Sequence, residues 1–313
     1  MELAKDKTGG KAMKDIILKT EKLSKSYGKV KALDSADISV MSGDIYAMIG
    51  RNGAGKTTLM KTITGLTEAS SGEYEIFGKK GKAAEAERNR IGCLIENPAF
   101  FGNMSAYDNL KYYCLQKGIC DYKKIDEVLE AVGLLDTGSK KFKAFSLGMK
   151  QRLGIAFALL DNPDLVVLDE PINGLDPIGI SELRDTFFRL NKEKGITMMI
   201  SSHILSELYM VANRFMFIDG GRVIKEITKE ELDRECSRCI VLKTDDIKKT
   251  ASLFEANYGD SEYMVIDEGE MRIYDESLQI SKINRMLVEN GIDVNGIYDS
   301  GVSLEDYFKN LVS

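Results

Sequence analysis

No stretch of this 313-residue chain approaches the ~20 consecutive apolar residues that a bilayer-spanning helix requires. The most apolar runs, such as Leu165-Val-Val-Leu168, are strand-sized. The first residues, Met1 to Lys14, are polar and rich in Lys and Gly, without the apolar centre of a secretory signal. A flexible segment is expected over 1–14, with Met13 as a second candidate start, in a protein that does not enter the membrane by itself. A basic excess is missing too. There are 43 Lys and Arg against 49 Asp and Glu, a net charge of −6, which argues against a nucleic-acid surface as the main business. Cysteines are few and odd in number: Cys93, Cys114, Cys120, Cys236 and Cys239 fit reduced thiols better than a disulfide framework. Cys236-Ser-Arg-Cys239 is a lone C-x-x-C. A zinc site takes four ligands, no second pair exists, and the single histidine lies far away, so these are read as packed thiols. Internal repeats and low-complexity tracts are absent.

What is present is the composition of an ordinary globular protein, 43% hydrophobic and 29% charged, long enough for one large and one small domain. From residue 14 to about 220, short apolar runs alternate with helical patterns, the rhythm of a parallel α/β sheet. Strands are expected at 45–49, 164–168 and 197–201, and helices at 57–66 and 149–160. Gly220-Gly221 marks the expected domain boundary. Beyond it the pattern is strand 239–243, helix 245–256, strands 262–266 and 270–274, helix 277–289 and strand 293–298. That βαββαβ order predicts a small ferredoxin-like α+β domain over 221–313. A last helix is expected from Ser303, capped by its hydroxyl, with Asp306 completing a capping box.

Gly50-Arg-Asn52-Gly53-Ala-Gly55-Lys56-Thr57 matches G-x-x-x-x-G-K-[ST], directly after an expected strand and before an expected helix. Glycines let backbone N–H groups turn inward around phosphate oxygens, and the helix N-terminus adds positive potential. Lys56 would neutralise β- and γ-phosphate charge, and the Thr57 hydroxyl would hold Mg²⁺, with Thr58 beside it. The site is therefore a nucleotide site with ATP and Mg²⁺ as expected ligands. The apolar strand 165–168 ends in Asp169-Glu170, and strand carboxyl ends are where parallel sheets bind ligands. Asp169 would orient the magnesium, and Glu170 would polarise a water for in-line attack. His203 follows another strand's end, within expected reach of the γ-phosphate. Lys56, Glu170 and His203 form the expected catalytic set.

Phe145-Ser146-Leu-Gly148-Met-Lys-Gln-Arg152, just upstream of the acid strand, resembles the signature of ABC ATPases. The motif order, ending in Gly174-Leu-Asp176 and Ser202-His203, is similar to that family over about residues 15–225. The resemblance implies an ABC-type P-loop core over 15–220 with a helical signature subdomain at about 97–160. It also implies that Tyr27 stacks on adenine, that Ser146 and Gly148 contact ATP held by a second ATPase subunit, and that Asp176 sits at that subunit interface. Two chains, identical or paralogous, would work on a polytopic membrane permease from the cytoplasmic face of the membrane, with no nucleic-acid partner. Two departures stand out. The signature reads Phe-Ser-Leu-Gly-Met instead of Leu-Ser-Gly-Gly-Gln, and Glu96 stands where most of the family carry Gln, offering the metal a charged oxygen. Glu96 followed by Asn97-Pro98-Ala-Phe-Phe101, together with the ending Ser303-Leu-Glu-Asp-Tyr-Phe308, resembles lantibiotic-immunity and bacitracin-resistance exporters. The aromatic pair is expected to line a groove for a permease helix. Rival readings are a soluble ABC ATPase acting on ribosome or DNA, and a regulatory subunit that binds ATP without turnover.

Overall fold

The computed structural model describes residues 15–96, 99–267, 269–275 and 277–312. The expected flexible segment 1–14 and the Asn97-Pro98 step lie outside them. The chain divides into two compact units, 1–229 and 230–313.

The first unit runs β1 (Ile16–Tyr27), β2 (Val30–Met41), β3 (Ile45–Ile49), α1 (Lys56–Ile63), β4 (Ser71–Ile76), β5 (Lys79–Lys80), α2 (Lys82–Glu87), β6 (Ile91–Leu94), α3 (Ala106–Lys117), α4 (Lys123–Ala131) and α5 (Leu147–Leu159). It continues with β7 (Leu165–Leu168), α6 (Pro177–Lys194), β8 (Thr197–Ser202), α7 (Leu205–Tyr209), β9 (Arg214–Asp219) and β10 (Arg222–Thr228). One sheet has the order β10-β9-β3-β8-β7-β6, parallel from β9 to β6 and closed by antiparallel β10. Every residue of β3, β7 and β8 is buried, as expected for parallel strands covered on both faces. The parallel rhythm read from the sequence holds for this sheet only. A second sheet, β2-β1-β4-β5, is wholly antiparallel. Its strands mix buried and exposed residues, with several register shifts that break a strict alternation, a weaker signal than the continuous apolar runs. Leu18, Leu33 and Ile38 of this sheet, Met48 and Val167 of the other, and Leu59 and Ile63 of α1 form the core beneath the phosphate loop.

Helices α3 to α5 fall inside 97–160. Ser105 starts α3 with a complete capping box shared with Asp108. Gly92 of β6 lies under α5 so closely that a Cβ would stand 1.9 Å from the Ala158 carbonyl.

Gly220-Gly221 does not end the first unit. It is the turn of the β9–β10 hairpin, with φ of +52° and +82°, and the division comes nine residues later. A glycine pair marks a reversal of the chain, which a hairpin needs as much as a linker does. The Gly221 N–H donates to the Ala54 carbonyl at 2.9 Å, which ties the turn to the phosphate loop.

In the second unit, α8 (Lys229–Cys236) leads to β11 (Cys239–Thr244), α9 (Ile247–Tyr258), β12 (Tyr263–Val265), β13 (Glu270–Ile273), α10 (Ile280–Glu289), β14 (Val294–Ser300) and α11 (Leu304–Leu311). The sheet order β12-β13-β11-β14, antiparallel throughout, is the split βαβ arrangement of ferredoxin-like domains. Ile240, Leu242, Met271 and Ile273 pack against Phe254, Ile283 and Leu287 from α9 and α10. Ser303 caps α11 by accepting from the Asp306 N–H. The return bond differs from a capping box: Asp306 Oδ2 accepts from the Ser303 hydroxyl at 2.9 Å. α10 starts at Ile280, three residues later than expected, because Asp275 accepts from the Ser277 N–H and hydroxyl and holds a turn there.

Candidate active site

The phosphate loop joins β3 to α1, and its glycines are dictated by geometry. Gly53 and Gly55 have φ of +82° and +111°, where side-chain-bearing residues rarely go. At Gly55 a Cβ would also stand 2.8 Å from the Ala32 carbonyl oxygen and 3.2 Å from the Gly221 Cα. The loop bounds a 170 Å³ cavity lined by residues 51–58, Ala32 and Glu170. Asn52, Gly53, Gly55, Lys56, Thr57 and Thr58 all line this one cavity.

Lys56 is 5% exposed. Its ammonium donates to the Gly50 carbonyl at 2.6 Å and the Arg51 carbonyl at 3.3 Å. It also lies 3.1 Å from Glu170 Oε1, an ion pair without hydrogen-bond alignment. Glu170 Oε2 is 2.8 Å from His203 Nδ1, a hydrogen bond if Nδ1 carries the ring proton. Lys56 and His203, two of the three expected catalytic side chains, therefore converge on the carboxylate of the third, Glu170, a residue with a left-handed φ of +47°.

Asp169 sits at the carboxyl end of β7. Its Oδ2 accepts from the Thr57 hydroxyl at 2.7 Å, and its Oδ1 from the Ser201 hydroxyl at 2.6 Å. Ser201 Oγ in turn accepts from the Glu170 N–H at 2.8 Å. Sequence reasoning passed over Ser201 as the end of a strand. The signal lay in the parallel alignment of β7 and β8, which single-strand periodicity does not reveal.

Two expected residues stand apart from this cluster. Glu96, 66% exposed with φ of +66°, pairs with Lys61 at 2.5 Å, one helical turn beyond Thr57. Tyr27 ends β1, half-exposed, with Lys25 Nζ 5.1 Å from its ring centroid, and does not line the cavity. Phe100 packs edge-on against Tyr113, Phe142 and Phe157, while Phe101 is 43% exposed against Tyr112.

The signature residues line a separate 440 Å³ cavity that shares no residue with the first. Ser146 caps α5 by accepting from the Met149 N–H at 3.3 Å, and Asp176 caps α6 by accepting from the Gly179 N–H at 2.9 Å. A Cβ on Gly148 would meet only Leu175 Cδ2, at 3.7 Å. Among the described residues, nothing requires a glycine there. Burial raises the thiol pKa values of Cys93, Cys114 and Cys239, so these are packed thiols protonated at neutral pH. Among the described residues there is no cluster of metal-ligating side chains, and no helix is long and apolar enough to cross a membrane.

The family model for ABC transporters matches residues 33–173. The bacitracin transport ATP-binding protein BcrA of Bacillus licheniformis is 44% identical, over 95% of this chain and 97% of its own. The lantibiotic transport ATP-binding protein SrtF of Streptococcus pyogenes is 45% identical, over 67% of this chain and 90% of its own. Among solved structures, cbiO1 of Clostridium perfringens, part of the ABC transporter complex cbiONQ, superposes with a TM-score of 0.64 at 26% identity, over 79% and 97% of the two chains. Phosphate loop, acid pair and signature thus occur together in a chain that matches a transport ATP-binding protein over 95% of its length, and it belongs to the ABC transporter family as an ATP-binding, ATP-hydrolysing subunit.

Proposed function

We propose that two copies of this chain, or one copy and a close paralogue, drive a separate polytopic permease that exports peptide antibiotics, from the cytoplasmic face of the membrane. The cargo reading is carried by the near full-length likeness to a bacitracin transport subunit, which extends through the C-terminal unit. The two-chain reading is supported by the separation of the phosphate-loop cavity from the signature cavity. Each chain then contributes half of each site. Ser146 and Gly148 approach ATP held by the partner's loop, with the α5 N-terminus adding positive potential, and Asp176 lies at the seam. Exposed Leu147 and Ile178 beside them suit a contact that is covered on closure.

Within one chain, Lys56 neutralises phosphate charge, and ATP displaces its contacts to the Gly50 and Arg51 carbonyls. Glu170 takes the proton of the attacking water, and His203 orients Glu170 and faces the transferring phosphoryl group. Tyr27 closes over the adenine. Thr57 and Asp169 present hard oxygen donors to one point, the chemistry that suits Mg²⁺, which binds through few protein ligands plus phosphate and water. When bound, the ion supplies charge neutralisation on the phosphate oxygens. Glu96 joins that set only after leaving Lys61.

Glu170→Gln tests the assignment of the base. ATP binding should persist while turnover falls by at least ~10²-fold, and a normal rate overturns it. Affinity capture from gently solubilised native membranes tests the transport reading. A stoichiometric polytopic protein supports it, and recovery of ribosomes or repair factors alone refutes it.

A further inference from the structure

We propose that Ser201 is a positioning residue for ATP hydrolysis, its hydroxyl locking Asp169 and Glu170 into their working geometry. The proposal rests on the reading of Glu170 as the general base. In the parallel register Leu168 stands beside Ile200, so Ser201 is the next rung, beside Asp169. Leu165, Val167 and Met199 pack in the core below the phosphate loop. The two-residue alternation of strands carries Asp169 and Ser201 to that same face.

The hydroxyl's direction is fixed by its partners. A backbone N–H only donates, so Ser201 Oγ accepts from Glu170 N–H at 2.8 Å, and its single proton goes to Asp169 Oδ1 at 2.6 Å. Ser201 is fully buried, so no water competes for either bond. Glu170 has a left-handed φ of +47°, a conformation that persists only when its surroundings over-determine it. The Ser201 bond holds the amide side of that residue, and the Asn173 N–H, donating to the Glu170 carbonyl at 3.1 Å, holds the other side. Return of Glu170 to an ordinary φ would turn its carboxylate away from Lys56 and His203. Loss of the bond to Oδ1 would free Asp169 to rotate away from Thr57. Ser201 itself does not line the nucleotide cavity, so it acts through the acid pair and not on the nucleotide.

Thr and Val have the same shape and differ in the hydroxyl, so Ser201→Thr and Ser201→Val in the full chain isolate the bond. The Val variant should turn over about 10²-fold more slowly than the Thr variant, with KM and fluorescent-nucleotide affinity of the two within about threefold. Hydrogen exchange at the Glu170 amide should be faster in the Val variant. Equal kcat in the two overturns the proposal, as does a loss of nucleotide affinity that matches the loss of rate. Should the branched side chains prevent folding, Ser201→Ala gives the same reading against the parent, and unchanged kcat again overturns it. Glu170→Gln run alongside separates the two ideas. A normal rate there removes the base assignment, whereas a slow Glu170→Gln with equal Thr and Val variants removes Ser201 alone.

Discussion

Alanine at Gly53 and at Gly55 should have different costs, and the difference measures how tightly the phosphate loop is wedged into the fold. Both residues have positive φ, so both substitutions incur at least roughly 1–2 kcal/mol of backbone strain, and Gly55, farther from the left-handed well, incurs no less than Gly53. Both gain a similar few tenths from a stiffer unfolded chain, which cancels in the comparison. They differ in surroundings. A Cβ on Gly53 meets nothing within 4 Å, whereas on Gly55 it meets the Ala32 carbonyl at 2.8 Å and the Gly221 Cα at 3.2 Å. Both obstacles are backbone, held by the Gly221-to-Ala54 and Asp34-to-Gly221 hydrogen bonds, so neither moves as a flexible side chain would. Overpacking of this kind costs about 1–3 kcal/mol. Gly55→Ala should therefore be less stable than Gly53→Ala by that amount in urea unfolding followed by circular dichroism. Equal midpoints and slopes would refute the wedge, because they would show that the Ala32 and Gly221 backbone yields freely.

Gly148→Ala should do the reverse. With only Leu175 Cδ2 at 3.7 Å nearby, the added methyl favours helix α5 by about 0.5–1 kcal/mol, while ATPase activity falls at least ~10-fold, about 1.4 kcal/mol of barrier, if a partner's ATP needs that space. Unchanged activity would count against the two-chain site. Ser105→Ala removes the two bonds of the cap hydroxyl, from the Asp108 N–H and to Asp108 Oδ2, and leaves the backbone N–H of residue 105 bonded to Asp108, so the melting temperature should drop by about 2–4 °C for a loss near 1 kcal/mol. A shift below that would mean that water replaces the cap. In thiol labelling at pH 7, exposed Cys120 should react well ahead of Cys93, Cys114 and Cys239, whose thiols burial keeps protonated. Equal rates at pH 7 would contradict the packing.

The residues that the sequence announced are those whose chemistry sits in consecutive positions. Gly50 to Thr57 is a loop whose ends are a strand and a helix, so local rules sufficed, and the run 165–168 ending in Asp169-Glu170 was legible for the same reason. The βαββαβ order of the C-terminal unit was readable because its two main helices each bury one apolar stripe and the elements are separated by polar turns. Ser201 was not, since its role depends on which strand lies beside β8. Nor was the Lys61 partner of Glu96, which comes from helix α1, 35 residues earlier. The antiparallel sheet escaped because β1 and β2 carry polar residues on one side and register shifts along their length. Gly220-Gly221 misled because a turn signal does not say whether the chain returns to the same sheet.

The strand order also sets when the nucleotide site can come into being during synthesis. β3, which leads into the phosphate loop, has β8 and β9 as neighbours and is paired with no strand near it in sequence. Those partners emerge from the ribosome about 150 residues later, a delay on the order of ten seconds or more at ~5–20 residues per second. Until then Ile45–Ile49, apolar and destined for full burial, has no strand to pair with, and the loop that follows it has no fixed ends. The nascent chain thus cannot bind ATP productively before most of its first unit is made, and this apolar strand stays unpaired, open to aggregation, throughout that interval.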